Sequence, residues 1–247
     1  VAVPTELNTL VTADGGITGT FIGLRDSYGT ANEGIPGFRI SDFSANPGDR
    51  PTWKFTVSGV TVSPIPDLST YTNNSSTFIC RHLKISGGSG YIVMERSSGS
   101  NAPQASGTLT KGSGTGDGTI TFSAIATGSA NPFWDVANSR LSFQYYITEF
   151  GLTGLDIAVL NLGINDLINT AVYSSYTTYL NSLKALVDGI NHATYGYPSA
   201  KIIINLQSYC GDTVNGLATN YGNAYSVNAY KKNMRNFWKE VIAAFET

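Results

Sequence analysis

An α/β fold with a parallel sheet, interrupted by a small all-β module, is the fold class that the sequence predicts. Three observations predict it. The runs DIAVLNLG (156–163) and AKIIINLQ (200–207) are continuously apolar, as strands of a parallel sheet covered on both faces would be. The segments TTYLNSLKALVDGINHA (177–193) and SVNAYKKNMRNFWKEVIAAF (226–245) repeat apolar residues at helical spacing, with Leu180, Leu183, Leu186, Val187 and Ile190 on one face of the first. Strand, helix, strand, helix in that order implies right-handed crossovers. Between 52 and 127 the helical period disappears, and short β-type runs are separated by Gly, Ser, Asn and Pro.

Taken in order, PTELNTLVT (4–12) reads as a short helix, because Pro4 suits a first turn and Leu7, Leu10 and Val11 share a face. ITGTFIGL (17–24) reads as a strand, followed by a Gly-rich loop through Gly37 and a short helix near 40–46. WKFTVSGVTV, STFICRHLKIS, GYIVMERS, SGTLTK and GTITFSAI follow as strands. No charged or Pro-rich linker flanks this stretch, so residues 52–127 read as an insertion, with 1–51 and 128–247 making one α/β domain around it. A helix is expected over 141–149, ahead of the strand at 156–163.

The 247 residues are 41% hydrophobic, enough for a core, and only 13% charged, about half of the usual quarter. Gly, Ser, Thr and Asn make up the difference. A polar, uncharged surface of this kind suits an extracellular, periplasmic or virion-associated protein. A net charge of −2 without a basic cluster argues against nucleic-acid binding. No apolar run approaches the ~20 residues that span a bilayer, so no membrane partner is expected. The chain starts at Val1 without a secretory leader, which suggests processing or trimming. Cys80 and Cys210 form no CxxC and have no zinc-site spacing. A disulfide between them and two separate buried thiols both remain open. No metal or organic cofactor is implied.

The stretch that carries chemistry is Gly163-Ile164-Asn165-Asp166, directly after an apolar strand. Ligand sites of parallel α/β sheets lie at the carboxyl ends of strands. A side-chain amide there can hold a developing oxyanion, a contribution of roughly 3–4 kcal/mol to the transition state. Asn and Asp are also favoured helix caps, so the tetrapeptide alone supports either role. LNLGINDL resembles the Gly-x-Asn-Asp block of the SGNH/GDSL hydrolases. Asn32-Glu-Gly-Ile-Pro-Gly-Phe-Arg-Ile40 resembles that family's second block, with Gly37 at its glycine, and NPFWD (131–135) is similar to carbohydrate-esterase and phage-associated branches. The resemblance covers roughly 1–50 and 128–247. It implies a three-layer, flavodoxin-like SGNH hydrolase sheet. It also implies an oxyanion hole formed by the Gly37 N–H and the Asn165 side chain, with Gly163 and Asp166 in support.

The same resemblance requires a Gly-Asp-Ser block and an Asp-x-x-His block, and neither occurs. Their expected places lie before Val1 and after Thr247. Internal substitutes fit poorly: Ser27 follows Arg25-Asp26 with no helix behind it, Thr213 comes after the Asn block, His192 lies at a helix end and His82 in the β module. A sheet of only three strands (17–24, 156–163 and 200–207) should leave a gap, so the sheet is expected to be completed by residues outside 1–247. Two functions follow. One is a serine esterase removing O-acetyl or similar small acyl groups from a carbohydrate, with the β module and a Tyr-rich loop at 208–230 shaping the glycan groove. The other is a non-catalytic carbohydrate-binding or structural module of a larger surface or virion assembly that keeps the hydrolase scaffold.

Overall fold

In the computed structural model, residues 35, 38–169, 171–205 and 227–246 are described. The helix expected at 4–12, the strand expected at 17–24, Ser27, Gly37, Cys210, Thr213 and the loop 208–226 lie outside the described residues. The chain divides into two compact units, which are taken separately.

The first unit holds Asn46–Arg140 and Tyr146–Thr153. Its strands are β1 (Thr52–Ser58), β2 (Thr70–Asn73), β3 (Ser76–Ser86), β4 (Ser89–Ser98), β5 (Gly107–Ser113) and β6 (Thr119–Thr127). They close into an antiparallel barrel in the order β1-β4-β3-β2-β5-β6. Alternation of inward apolar residues explains the closure. Phe55 and Val57 on β1, Phe78 and Cys80 on β3, Ile92 and Met94 on β4, and Ile120 and Phe122 on β6 all point inward and are buried. The outward positions of β2, β5 and β6 are largely threonines aligned across strands: Thr72 faces Thr110, which faces Thr119, and Thr108 faces Thr121. Threonine suits a pleated, solvated surface, and it supplies polarity without charge. The β2–β3 turn places Asn74 and Ser75 at φ of 49° and 60°, the left-handed pair of a type I′ hairpin. Gly128 donates to the Thr52 carbonyl at 3.1 Å, so the chain leaves the barrel where it came in.

Two loops are fixed by side chains. Asp117 accepts from the Thr61 N–H and hydroxyl and from the Val62 N–H, and these bonds, the Thr61 hydroxyl's first, hold its carboxyl below the usual range. Asn73 accepts from the Gln104 N–H and donates to the Thr108 carbonyl, while Ser76 donates to the Asn101 carbonyl.

The second unit holds Gly37–Ala45, Leu141–Tyr145 and Gly154–Thr247. It contains α1 (Ile40–Ser44), β9 (Ile157–Leu160), α3 (Ile164–Leu167), α4 (Thr177–Ile190), β10 (Lys201–Ile204) and α5 (Val227–Phe245). The short strands β7 (Trp134–Asp135) and β8 (Arg140–Leu141) and the helix α2 (Phe143–Phe150) complete the numbering. β9 and β10 run parallel, with Ile157 opposite Lys201 and Leu160 opposite Ile204. Ile40, Leu167, Leu183, Met234, Phe237 and Val241 pack as the core of this unit.

The fold class expected from the sequence is overturned. The described chain is mostly β, built around a closed six-stranded antiparallel barrel, with few helices; it is not a three-layer flavodoxin-like SGNH sheet. The physical reason lies in strand length and facing. The apolar runs at 156–163 and 200–207 contribute only four strand residues each. They are not covered on both faces as continuous apolarity suggested, since Ile157 is 50% and Ile203 49% exposed. Most strand residues are instead spent on alternating runs whose one apolar face is satisfied by closing on itself.

Candidate functional site

The turn after β9 is the place where the expected site residues gather. Gly163 holds φ at 111°, a value that L side chains rarely adopt, and this lets the chain reverse from strand into the single turn α3. Leu167 donates to the Gly163 carbonyl at 3.0 Å and closes that turn. Asn165 and Asp166 then reach the segment before and within α1, 126–127 residues away in sequence. The Asn165 side-chain Nδ2 donates to the Phe38 carbonyl at 2.8 Å. The Ile40 N–H donates to both Asp166 carboxyl oxygens, at 3.1 and 3.2 Å. Asp42, at the third position of α1, accepts from the Arg39 N–H at 2.8 Å, half of a capping box. Asp166 thus supplies the start of α1 with an acceptor that its own backbone lacks.

Asn165 therefore meets Phe38, and Asp166 meets Ile40. Gly37 itself lies outside the described residues. Asp166 is buried, and burial, with the Asp42 charge added, pushes its carboxyl up to about 6; the Ile40 N–H and Arg39 pull the other way.

That shift fixes a pH dependence. The ordinary value is 3.8, so between about 4 and about 6 the folded chain keeps a proton that the unfolded chain has released. Stability should fall as pH rises through this window and level off above it, by an amount on the order of 3 kcal/mol at most. Asp166→Asn keeps an acceptor for Ile40 and removes the charge. Urea unfolding at pH 4.5 and pH 8 should show the variant gaining on the wild type at the higher pH. Equal differences at both pH values would contradict the shift.

The turn has further partners that the sequence did not single out. Asn233 on α5 is fully buried and uses its whole amide: Nδ2 donates to the Leu167 and Ala171 carbonyls, and Oδ1 accepts from the Tyr173 N–H and the Tyr176 hydroxyl. The Tyr173 hydroxyl donates to the Asp166 carbonyl at 2.9 Å. The signal was present in the sequence. Asn233 sits in the apolar stripe of α5, beside Tyr230, Met234 and Phe237, and a polar residue there needs partners.

The two histidines weighed as catalytic are committed elsewhere. His192 Nδ1 accepts from the Thr194 and Tyr195 N–H groups, and its ring stacks on Tyr195 at 4.2 Å. It staples the loop after α4. His82 is buried in the barrel unit, with Nε2 donating to the Ser129 carbonyl at 2.9 Å and its ring set edge-on against Phe150. Tyr230, counted with the Tyr-rich loop as a glycan platform, is instead packed inside the second unit, where no sugar can reach it. Cys80 is buried in the barrel core. Among the described residues no group of three His, Cys, Asp or Glu could hold a metal ion, and no helix is long and apolar enough to cross a membrane.

Comparison with family models, curated proteins and solved structures finds no match for this chain.

Proposed function

We propose that the 163–167 turn supplies the oxyanion donor of a serine ester hydrolase of the SGNH kind, acting on small acyl esters such as O-acetyl groups of a carbohydrate. One observation carries this reading. The Asn165 amide meets the Phe38 carbonyl at 2.8 Å, so the Gly-x-Asn-Asp stretch and the segment carrying the Gly37 motif converge on one place. One amide hydrogen of Asn165 is spent on Phe38, which orients the group; the second is left to meet a developing negative charge. In the reaction a serine oxygen attacks the ester carbonyl while a histidine takes its proton. The carbonyl oxygen becomes an oxyanion held by Asn165 and the Gly37 N–H, and collapse expels the sugar hydroxyl. Water then releases the acid from the acyl-enzyme. The reading assigns neither the serine nor the histidine to a described residue.

The test is hydrolysis of p-nitrophenyl acetate and of an acetylated oligosaccharide by the intact protein. Asn165→Ala should lower kcat by about 10²–10³-fold with little change in KM. An unchanged rate in that variant would remove Asn165 from the mechanism. The second reading, a carbohydrate-binding or structural module without catalysis, is favoured by the fixed bonds of both histidines. An intact protein that hydrolyses no ester would leave that reading standing.

A further inference from the structure

We propose that Asn233 and Tyr173 are positioning residues of this site, clamping the turn that carries Asn165 so that its amide holds one orientation. The inference rests on the oxyanion reading above.

The turn cannot hold itself. α3 is four residues long, a single turn, and an isolated turn of helix is unstable because its nucleation is not repaid by propagation. The last carbonyls of any helix also lack donors from a following turn. Here two side chains take the place of that turn. The Tyr173 hydroxyl donates to the Asp166 carbonyl, and Asn233 Nδ2 donates to the Leu167 carbonyl at 3.1 Å. These carbonyls belong to the residue next to Asn165 and the one after it, so a shift in either moves the amide.

The clamp is itself held rigid. Asn233 Oδ1 is fixed by the Tyr173 N–H and the Tyr176 hydroxyl, both at 2.8 Å, and its second Nδ2 hydrogen goes to the Ala171 carbonyl. Every hydrogen-bonding position of the amide is filled, with no exposed surface. Each of these partners lies in the stretch 166–176 that leads away from the turn. Phe38 and Ile40 in turn hold Asn165 and Asp166. The turn is thus held by two separate segments, and a purely apolar packing of α5 would supply no donor to it.

The experiment is a double-mutant cycle with an exchange measurement beside it. Tyr173→Phe removes one hydroxyl and keeps the ring; Asn233→Asp keeps the shape and removes both donors. In the intact protein each should lower kcat about tenfold with KM unchanged. In an Asn165→Ala background each should lower it no further, because the group they position is gone. Additive losses, or wild-type kcat in Tyr173→Phe, would overturn the proposal while leaving Asn165 in the mechanism. Loss of no activity in Asn165→Ala itself would overturn the oxyanion reading and this inference with it. Independently of turnover, hydrogen exchange of the Ile40 amide, which Asp166 accepts, should quicken at least tenfold in Tyr173→Phe, with the Phe55 amide of the barrel unchanged. An Ile40 rate equal to the wild type's would show that Tyr173 does not hold the turn.

Discussion

Replacing Arg81 with Met should destabilise the protein by about 3–5 kcal/mol at neutral pH, because it removes the cation that bridges two buried carboxylates. Arg81 Nε donates to Glu95 at 2.8 Å and Nη1 donates to Asp67, while Arg50 reaches the other Glu95 oxygen at 3.1 Å. All three members of the Arg81 cluster have side chains less than a tenth exposed. Burial works against the Arg81 charge, but the hydrogen bonds and charges of Glu95 and Asp67 outweigh it and hold the guanidinium above its ordinary range. Removing the cation leaves those anions in a poorly solvated place. The loss should shrink in the triple variant Arg81→Met, Asp67→Asn, Glu95→Gln, where the two buried negative charges are removed with the cation. Urea midpoints of the three proteins at pH 7 check this. A loss below 1 kcal/mol in the single variant would mean that the cluster is solvated after all.

Phe55→Ala should be comparably severe, about 3–5 kcal/mol, from lost transfer energy and the cavity left behind. Phe55 has no exposed surface, and its ring meets Phe122 at 5.0 Å and Phe78 at 6.0 Å, both edge-on. Such pairs add roughly 0.5–1.5 kcal/mol beyond burial. The barrel has no second layer to collapse into the gap, since its inward residues come from strands already tied on both sides. Thermal unfolding should shift down by roughly 15 °C or more. Phe55→Leu, which refills most of the volume, should recover more than half of that. If both variants melt alike, volume at this position is not what holds the barrel.

Local pattern was legible in the sequence, and closure was not. STFICRHLKIS reads as a strand by alternation and is one, end to end, and the helix expected at 226–245 forms over Val227–Phe245. β2 was missed, because TYTN is short and runs directly into the Asn74-Ser75 turn. The burial of Arg81 was equally hidden. Cys80 pairs with Met94 and His82 with Val93, so Arg81 is the extra residue of a bulge. Alternation places it on the outer face with Glu95, and gives no sign that both are buried there. The α/β reading failed for a related reason: a run of apolar residues states that burial is wanted, not that two faces are covered, and Ile157 and Ile203 keep one face open. At the site, the Gly-x-Asn-Asp stretch could be found from residue types. Its grip on Phe38 and Ile40 could not, because partners 126–127 residues apart leave no trace in spacing.

The bond from Gly128 to Thr52 has a consequence for the chain on either side of the barrel. A flexible excursion of roughly 75 residues would tax the folding of its flanks through the entropy of bringing its ends together, which grows as (3/2)RT ln n. Once the barrel has formed, its two ends are one hydrogen bond apart. To the flanking segments it then weighs no more than a loop of a few residues, a saving of about 2 kcal/mol. The order of events matters in turn: a barrel that forms first shortens the effective chain between Phe38 and Asn165 from 127 residues to about fifty.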